Sequence, residues 1–247
     1  MIEEAARRLR DARRVLAFSG AGISAESGVP TFRDSGGLWE QHRLEDVATP
    51  RALRGNPRQV WEFYETRRRN MQSVEPNAGH RAIAELETLF EDVTVVTQNI
   101  DGLHQRAGST RVLEVHGSLW RAVCLERCGR AVDPFPYPAP ELPPPCGCGS
   151  ILRPEVVLFG EMLPEDVFRD AEAHAARADV VLVVGTSSIV WPAAGIPLAA
   201  QSVGATVIEV NPERTDLTDR FDLSLRGRAG EVLPRLVARV RELHRAA

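Results

Sequence analysis

The sequence of 247 residues contains no lysine; all 30 of its basic residues are arginine, set against 34 acidic residues for a formal charge of -4. That absence removes several chemistries at once. A P-loop NTPase needs its phosphate-cradling lysine, a protein kinase its ATP-pairing lysine, and a pyridoxal-phosphate or Schiff-base enzyme its nucleophilic amine. An excess of positive charge is also missing: a pI near 5.9 argues against a broad phosphate-binding surface, so no direct nucleic-acid partner is expected. The start, MIEEAARRLRDARR, is charged and amphipathic and lacks an apolar h-region, so the expectation is no secretory signal and a cytoplasmic location. An unbroken membrane span is lacking too. Val180 to Ala200 carries no charge over a bilayer-spanning length, but Gly185-Thr186-Ser187-Ser188, Pro192, Gly195 and Pro197 interrupt it. A buried strand, a polar turn and a helix fit better, and the expectation is a monomer with no membrane partner.

What is present is ordinary for a globular chain, with 43% hydrophobic and 26% charged residues and a length suited to one large domain or slightly more. Short apolar runs recur at Val15 to Phe18, Val93 to Val96, Val112 to Val115, Val180 to Val184 and Thr206 to Val210. Helical periodicity lies between them at Ala78 to Phe90 and Asp166 to Ala178, and again at Gly230 to His244. This alternation predicts an α/β fold, a Rossmann-like doubly wound parallel sheet with a smaller inserted module. The expected division is a Rossmann-like body over 1–33, 74–118 and 155–247, and a small domain over 34–73 and 119–154. The first insertion is rich in Arg and aromatics and reads as a helical segment. The second holds all four Cys and eight of the 17 Pro.

Several polar clusters fall where predicted strands end. Val15 to Phe18 runs into Ser19-Gly20-Ala21-Gly22-Ile23-Ser24-Ala25, a G-x-G-x-x-A pattern. It reads either as a pyrophosphate-binding turn at a helix N-terminus or as a tight turn without a ligand. The acidic residue expected about twenty positions later is missing; instead, a late strand ends at Asn211-Pro212-Glu213, where an amide and a carboxylate could hold a ribose. Thr97-Gln98-Asn99-Ile100-Asp101-Gly102-Leu103-His104 follows another strand, and ligands in open α/β sheets bind beyond such carboxyl ends. The next strand delivers His116-Gly117. A neutral histidine with a pKa of about 6.5 is the natural general base for a sugar hydroxyl, so His116 is the candidate base, with His104 as a loop partner.

Taken together these residues resemble the sirtuins, NAD-dependent protein-lysine deacylases. The resemblance runs through Gly20-Ala21-Gly22-Ile23-Ser24, Gly28-Val29-Pro30-Thr31-Phe32-Arg33, Thr97-Gln98-Asn99-Ile100-Asp101, His116-Gly117, Phe159-Gly160-Glu161, Gly185-Thr186-Ser187 and Asn211-Pro212-Glu213, in order over nearly the whole length. It implies NAD as co-substrate and a mechanism. The acyl oxygen of a modified lysine attacks the nicotinamide-bearing ribose carbon, nicotinamide leaves, and His116 deprotonates a ribose hydroxyl that attacks the resulting imidate. After water adds, free lysine and 2'-O-acyl-ADP-ribose are the products. By the same resemblance Asn99, Ile100 and Asp101 hold the nicotinamide and Gln98 the ribose. Gly20, Ala21 and Gly22 face the pyrophosphate, while Phe32 and Arg33 lie in a loop covering the reacting ribose. Gly185, Thr186, Ser187, Asn211, Pro212, Glu213 and Ala229 line the adenosine side. The implied partners are acylated-lysine proteins or peptides.

Tyr64 and Arg67 resemble the acyl pocket of the sirtuin class that prefers succinyl and malonyl lysine. One helical turn puts them on the same face, and an Arg fork with a phenol suits a carboxylate at the end of an acyl chain. The alternative is that Arg67-Arg68-Arg69 is a solvated helix face; if the pocket is right, Arg68 and Arg69 point elsewhere. Cys124-x3-Cys128 and Cys146-x-Cys148 suggest one structural zinc ordering a Pro-rich insertion, with a disulfide pair as the alternative. Both spacings depart from the commoner C-x2-C knuckle. Glu155 to Glu161 resembles the family's peptide-binding strand and loop, with Val157 and Phe159 as the substrate contacts and core burial as the alternative for Val157. A mono-ADP-ribosyltransferase using the same NAD site and a non-catalytic NAD-sensing module are the rival functions.

Overall fold

The structure is a computed structural model, and it describes residues 1–31 and 43–246. Phe32 and Arg33, expected at the reacting ribose, lie outside the described residues.

The chain opens with α1 (Ile2–Arg10), β1 (Arg14–Ser19) and the single-turn α2 (Ala21–Ala25). Three helices follow, α3 (Leu44–Val47), α4 (Pro50–Gly55) and α5 (Pro57–Met71), and then α6 (Ala78–Leu86) and β2 (Asp92–Thr97). Proline occupies the first position of α4 and α5, where its missing N–H costs nothing, and the Thr49 and Asn56 side chains cap the two helices. α7 (Leu103–Arg106) and β3 (Val112–Glu114) lead into β4 (Gly117–Cys124), β5 (Ala131–Val132) and β6 (Leu152–Val156). The remainder alternates: α8 (Glu165–Ala175), β7 (Val180–Val184), α9 (Gly195–Ser202), β8 (Thr206–Asn211), a 3-10 turn at Thr218–Arg220, β9 (Leu223–Arg226) and α10 (Ala229–Arg245).

Six strands form one parallel sheet in the order β3-β2-β1-β7-β8-β9. Central strands such as β7, Val180-Val181-Leu182-Val183-Val184, are buried throughout because helices cover both faces. On one face Val15, Ala17, Leu182 and Ile208 pack with residues of α1, α6 and α10; on the other Leu16, Phe18, Val181 and Val207 pack with α8 and α9. Each fully buried Leu, Ile or Val side chain contributes roughly 1.5–3 kcal/mol, so this three-layer core dominates the stability. The strand order reverses between β1 and β7. In a doubly wound sheet the crevice at that reversal is where a ligand binds.

The second sheet is small and antiparallel, in the order β5-β4-β6. It shares an apolar core with α3, α4 and α5, containing Val47, Leu53, Val60, Phe63, Leu119 and Val156. Trp61 of α5 fits among Phe135, Leu152 and the cysteine pair Cys124 and Cys146, and its Nε1–H donates to Leu152 O at 2.9 Å. The long uncharged stretch resolves as expected into β7, a turn and α9. Among the described residues no helix is long and apolar enough to cross a membrane. Two boundaries differ from the sequence pattern. α6 stops at Leu86 rather than Phe90, because Glu87, Thr88 and Leu89 bond three residues back and tighten into turns. The strand expected from Glu155 ends at Val156, and Val157 onward is loop.

Candidate active site

The Gly20–Gly22 turn after β1 packs against the Gly185–Thr186 turn after β7. Gly20 N–H donates to Val184 O at 3.1 Å and Gly22 N–H to Gly185 O at 2.7 Å. A Cβ on Gly22 would sit 2.6 Å from Gly185 O, and one on Gly185 would sit 2.3 Å from Ile23 N. Gly185 also has φ +57°. The glycines of the G-x-G-x-x-A pattern therefore serve first to let two backbone turns touch, and that contact closes the floor of the crevice. Ala21 opens α2 beside it, and Ser187 follows Thr186. Ser188 is a buried non-glycine residue with φ +59°, its N–H held by Thr186 Oγ1 at 3.2 Å. Left-handed backbone at such a residue is costly and concentrates at functional sites.

At the end of β2 the polar run is pinned from several sides. Gln98 Nε2 donates to Thr186 Oγ1 at 2.9 Å. Asn99 Nδ2 donates to Gly20 O at 3.1 Å and to Ser24 Oγ at 3.2 Å, and the Ser24 hydroxyl donates to Asp101 Oδ2 at 2.7 Å. Asp101 also accepts from Leu103 N–H at 2.9 Å, while its backbone carbonyl accepts from Trp120 Nε1 at 2.8 Å. Asn99 and Asp101 are buried, and Ile100 packs partly against the small-domain core. Burial pushes the Asp101 carboxyl upward, and its hydrogen bonds and the charge of Arg67 work against that shift.

His116 follows β3 and stands where the two sheets meet. Its Nδ1 lies 3.0 Å from Gln98 O. A carbonyl only accepts, so Nδ1 carries the proton and Nε2 presents its lone pair. Burial pulls the His116 pKa below its ordinary value, with the Gln98 bond opposing, so the ring is neutral at pH 7. Gly117 turns the chain with φ +79°, and a Cβ there would lie 1.9 Å from Glu155 O. Its bareness lets β6 approach, and Val157 N–H then donates to His116 O at 2.9 Å. Val157 is half-buried at the end of β6, and Phe159 is 52% exposed beyond it.

On the other side of the crevice, Asn211 Nδ2 donates to Thr186 O at 2.8 Å and Glu213 N–H to Asn211 Oδ1 at 3.4 Å. Pro212 and Glu213 are exposed. Ala229 is buried as the first residue of α10, and the next residue, Gly230, donates its N–H to Glu26 Oε2 at 2.8 Å. The predicted strand-end groups thus gather along one edge of the sheet.

Two histidines behind this edge play parts that the sequence pattern does not announce. His104 lies in α7, not in a loop, and is fully buried; its Nε2 is 2.8 Å from Ser19 Oγ. His80 accepts the Asn77 N–H at Nδ1, so its Nε2–H points to Ser24 Oγ at 3.4 Å. The rings meet edge to face at 5.0 Å. Desolvation lowers the pKa of His80 to about 4 and of His104 to about 3, helped at His80 by the charge of Arg81 and at His104 by the mutual disfavour of protonating both rings. Both are neutral struts beneath the Asn99–Asp101 loop.

On α5, Tyr64 is buried, and the half-buried Arg67 places its guanidinium carbon 6.0 Å from the Tyr64 ring and 5.7 Å from that of Phe63. Burial lowers the Arg67 pKa and raises that of Tyr64. Among the described residues Arg67 forms no ion pair. Arg68 points elsewhere as expected, but inward: it is 1% exposed, pairs with Glu65, and donates to Phe135 O at 2.7 Å and Pro136 O at 2.8 Å. Only Arg69 of the three is a solvated residue.

The four cysteine sulfurs lie within 4.8 Å of one another, with Cys124 to Cys148 at 3.7 Å and Cys128 to Cys146 at 3.5 Å. Disulfide sulfurs would be about 2.05 Å apart, whereas thiolates about 2.3 Å from a central tetrahedral ion stand roughly 3.8 Å from each other. The cluster fits a structural zinc with every ligand position filled.

The Sir2 family model matches residues 20–192. The chain belongs to the Sir2 family. Its relatives include NAD-dependent protein deacylase 2 of Pyrobaculum aerophilum, 52% identical over 234 residues that cover 94% of this chain and 93% of that one. A solved Sir2 homologue in complex with NAD superimposes with a TM-score of 0.90 at 44% identity, covering 98% of this Sir2 chain and 94% of the other. A Sir2 protein bound to a myristoylated histone peptide superimposes with a TM-score of 0.77 at 39% identity, covering 100% and 98%.

Proposed function

We propose that this Sir2 protein is an NAD-dependent protein-lysine deacylase whose acyl pocket favours succinyl and malonyl groups and also accepts acetyl. The deacylase activity is supported by the family and by relatives of that name. The acyl preference rests on one observation: Arg67 is a half-buried guanidinium without an ion-pair partner among the described residues, beside the buried phenol of Tyr64. Asp101 attracts Arg67 without pairing with it, and an acidic acyl chain would give the desolvated guanidinium a forked, charge-assisted partner.

The rest of the site fits the same reaction. Gly20, Ala21 and Gly22 would face the pyrophosphate, and Gly185, Thr186, Ser187, Asn211, Pro212, Glu213 and Ala229 the adenosine. Gln98 would hold the nicotinamide ribose. Asn99 and Asp101 would hold the carboxamide, whose NH2 and carbonyl match a carboxylate acceptor and an amide donor, with Ile100 packing beside them. The Nε2 lone pair of His116 would take the proton of a ribose hydroxyl as that oxygen attacks the acyl carbon. Nicotinamide would already have left as the acyl oxygen bonded to the ribose carbon; water would then add, the lysine amine would leave as free lysine, and the acyl group would remain on the ADP-ribose hydroxyl. Val157 and Phe159 would contact the acyl-lysine peptide. Zinc held by Cys124, Cys128, Cys146 and Cys148 would order the small module and take no part in the chemistry. The division into a Rossmann-like body and a two-part small domain belongs to the same proposal, with the reaction at their junction.

The deciding experiment measures NAD-dependent turnover on one peptide carrying acetyl, malonyl, succinyl or myristoyl lysine, with wild type and with the Tyr64→Phe, Arg67→Met variant. Succinyl and malonyl turnover should exceed the others in wild type and fall by about 100-fold in the variant, the scale of one charge-assisted pair, while acetyl turnover changes little. Equal losses on all peptides would remove the pocket assignment. NAD consumption with label transferred to protein and no dependence on acyl peptide would identify a mono-ADP-ribosyltransferase, and NAD binding without turnover a sensing module.

A further inference from the structure

β8 buries a carboxylate that the reaction does not use. Its side chains alternate: Ile208 and Val210 enter the core beneath α10, while Val207 enters the opposite core with Leu217 and Phe221. Glu209 shares the Val207 face and is fully buried. An unsatisfied carboxylate there would cost several kcal/mol. It is satisfied by four residues from the segment that returns to β9. The Thr215 hydroxyl donates at 2.7 Å, Thr218 at 2.9 and 3.0 Å, Ser224 at 2.7 Å and Arg226 Nη2 at 3.0 Å.

Arg226 carries this anchor outward. Its second terminal nitrogen, Nη1, donates to the backbone carbonyl of Asn211 at 3.4 Å and to that of Glu213. Those carbonyls bracket the turn proposed to hold the adenosine ribose. Asn211 in turn donates to Thr186 O, which ties this turn to the one after β7. One arm of the guanidinium thus holds the buried carboxylate, and the other holds two carbonyls of the turn at the crevice.

We infer that Glu209, acting through Arg226, is a positioning residue that sets the Asn211–Glu213 turn for the adenosine half of NAD. The inference rests on the NAD reading of the crevice. Glu209 touches no substrate. It fixes the fork of Arg226, and the fork fixes the turn.

The test compares wild type with Glu209→Gln and with Arg226→Met, the latter a partly exposed site that can lose its charge without opening the core. KM for NAD, kcat at saturating NAD, KM for acyl peptide, the inhibition constant of free nicotinamide and the affinity for ADP-ribose are measured on each. Both variants should raise KM for NAD and weaken ADP-ribose by about tenfold, the scale of one charge-assisted bond. The values of kcat, peptide KM and nicotinamide inhibition should stay within about twofold, since those groups bind at the other end of the crevice. The double variant should be no worse than either single one, because both break the same link. If Glu209→Gln does not fold, Arg226→Met alone decides by the same split. Unchanged ADP-ribose affinity, or parallel loss in nicotinamide and peptide terms, would overturn the inference and leave Glu209 as a stabilising group. Failure of wild type to bind NAD or ADP-ribose would instead overturn the NAD reading itself.

Discussion

The crevice edge of the six-stranded sheet and the cysteine-bearing module are ordered by different means. At the edge, side chains from strands and turns far apart in sequence satisfy one another: Asn99 reaches Gly20 and Ser24, Gln98 reaches Thr186, and Asn211 reaches the same turn. This lattice rests on a large core, and its side chains hold one another in place. The module has only the small β5-β4-β6 sheet and a thin core around Trp61, Phe135 and Leu152. Its four cysteine sulfurs, within 4.8 Å of one another, would add order by binding one metal ion as thiolates. The two regions are joined through Gly117 and the bond from Val157 to His116, so the small sheet touches the large one at His116.

Removing the metal should give the largest effect and separate the two regions. Metal analysis should find about one zinc per chain, as a four-thiolate site requires. Chelation or Cys148→Ser should abolish deacylation and shift the emission of Trp61 and Trp120 toward that of exposed indole, while most far-UV circular dichroism from the large sheet and its helices survives. A metal-free protein that stays folded and active would end the distinction. A smaller effect is expected at the edge itself. Gly22→Ala must push a methyl against Gly185 O, 2.6 Å away, and overpacking of this kind costs about 1–3 kcal/mol. Its melting temperature should fall and NAD should bind at least tenfold more weakly, with zinc content unchanged; normal NAD affinity would show that the two turns need not touch.

Acid should load the edge through the two histidines buried behind it. His80 and His104 are neutral in the folded protein, with pKa values lowered to about 4 and about 3, while in the unfolded chain they titrate at about 6.5. Below that pH the unfolded state binds more protons, so stability falls as pH drops. The slope is about 1.4 kcal/mol per pH unit per histidine until the folded values are reached. Above pH 7 the effect vanishes. Urea titrations from pH 7 to 5 should show this loss in wild type and a shallower one in His80→Gln; identical slopes would show that His80 does not contribute.

Much of the candidate site was legible because its residues sit in short runs at strand ends, where apolar β-branched residues stop and polar ones begin. Gly20 to Gly22, Gln98 to Asp101, His116 and Asn211 to Glu213 all carry that mark. Some of the groups that hold them do not. Ser24 and His104 belong to the same strand-end runs, but His80 lies inside an ordinary helical stripe, and nothing local shows that it meets them in the folded chain. Arg68 sits between Arg67 and Arg69 in a run that reads as solvated, yet it is the most buried of the three because the loop at Phe135 and Pro136 folds over it. Glu209, inside an apolar strand, gave no hint that its four partners would come from the next seventeen residues. Strand positions follow from local pattern, whereas partnerships across loops depend on how the loops close.

The fixed tautomer of His116 has one more consequence. Because Nδ1–H is committed to the Gln98 carbonyl, the imidazole cannot relay a proton from one nitrogen to the other and out through the protein. Whatever Nε2 gains it must surrender from Nε2, on the crevice side. If His116 is the base of the proposed reaction, the proton that Nε2 takes has to leave from the same nitrogen, to the departing lysine amine or to water in the crevice.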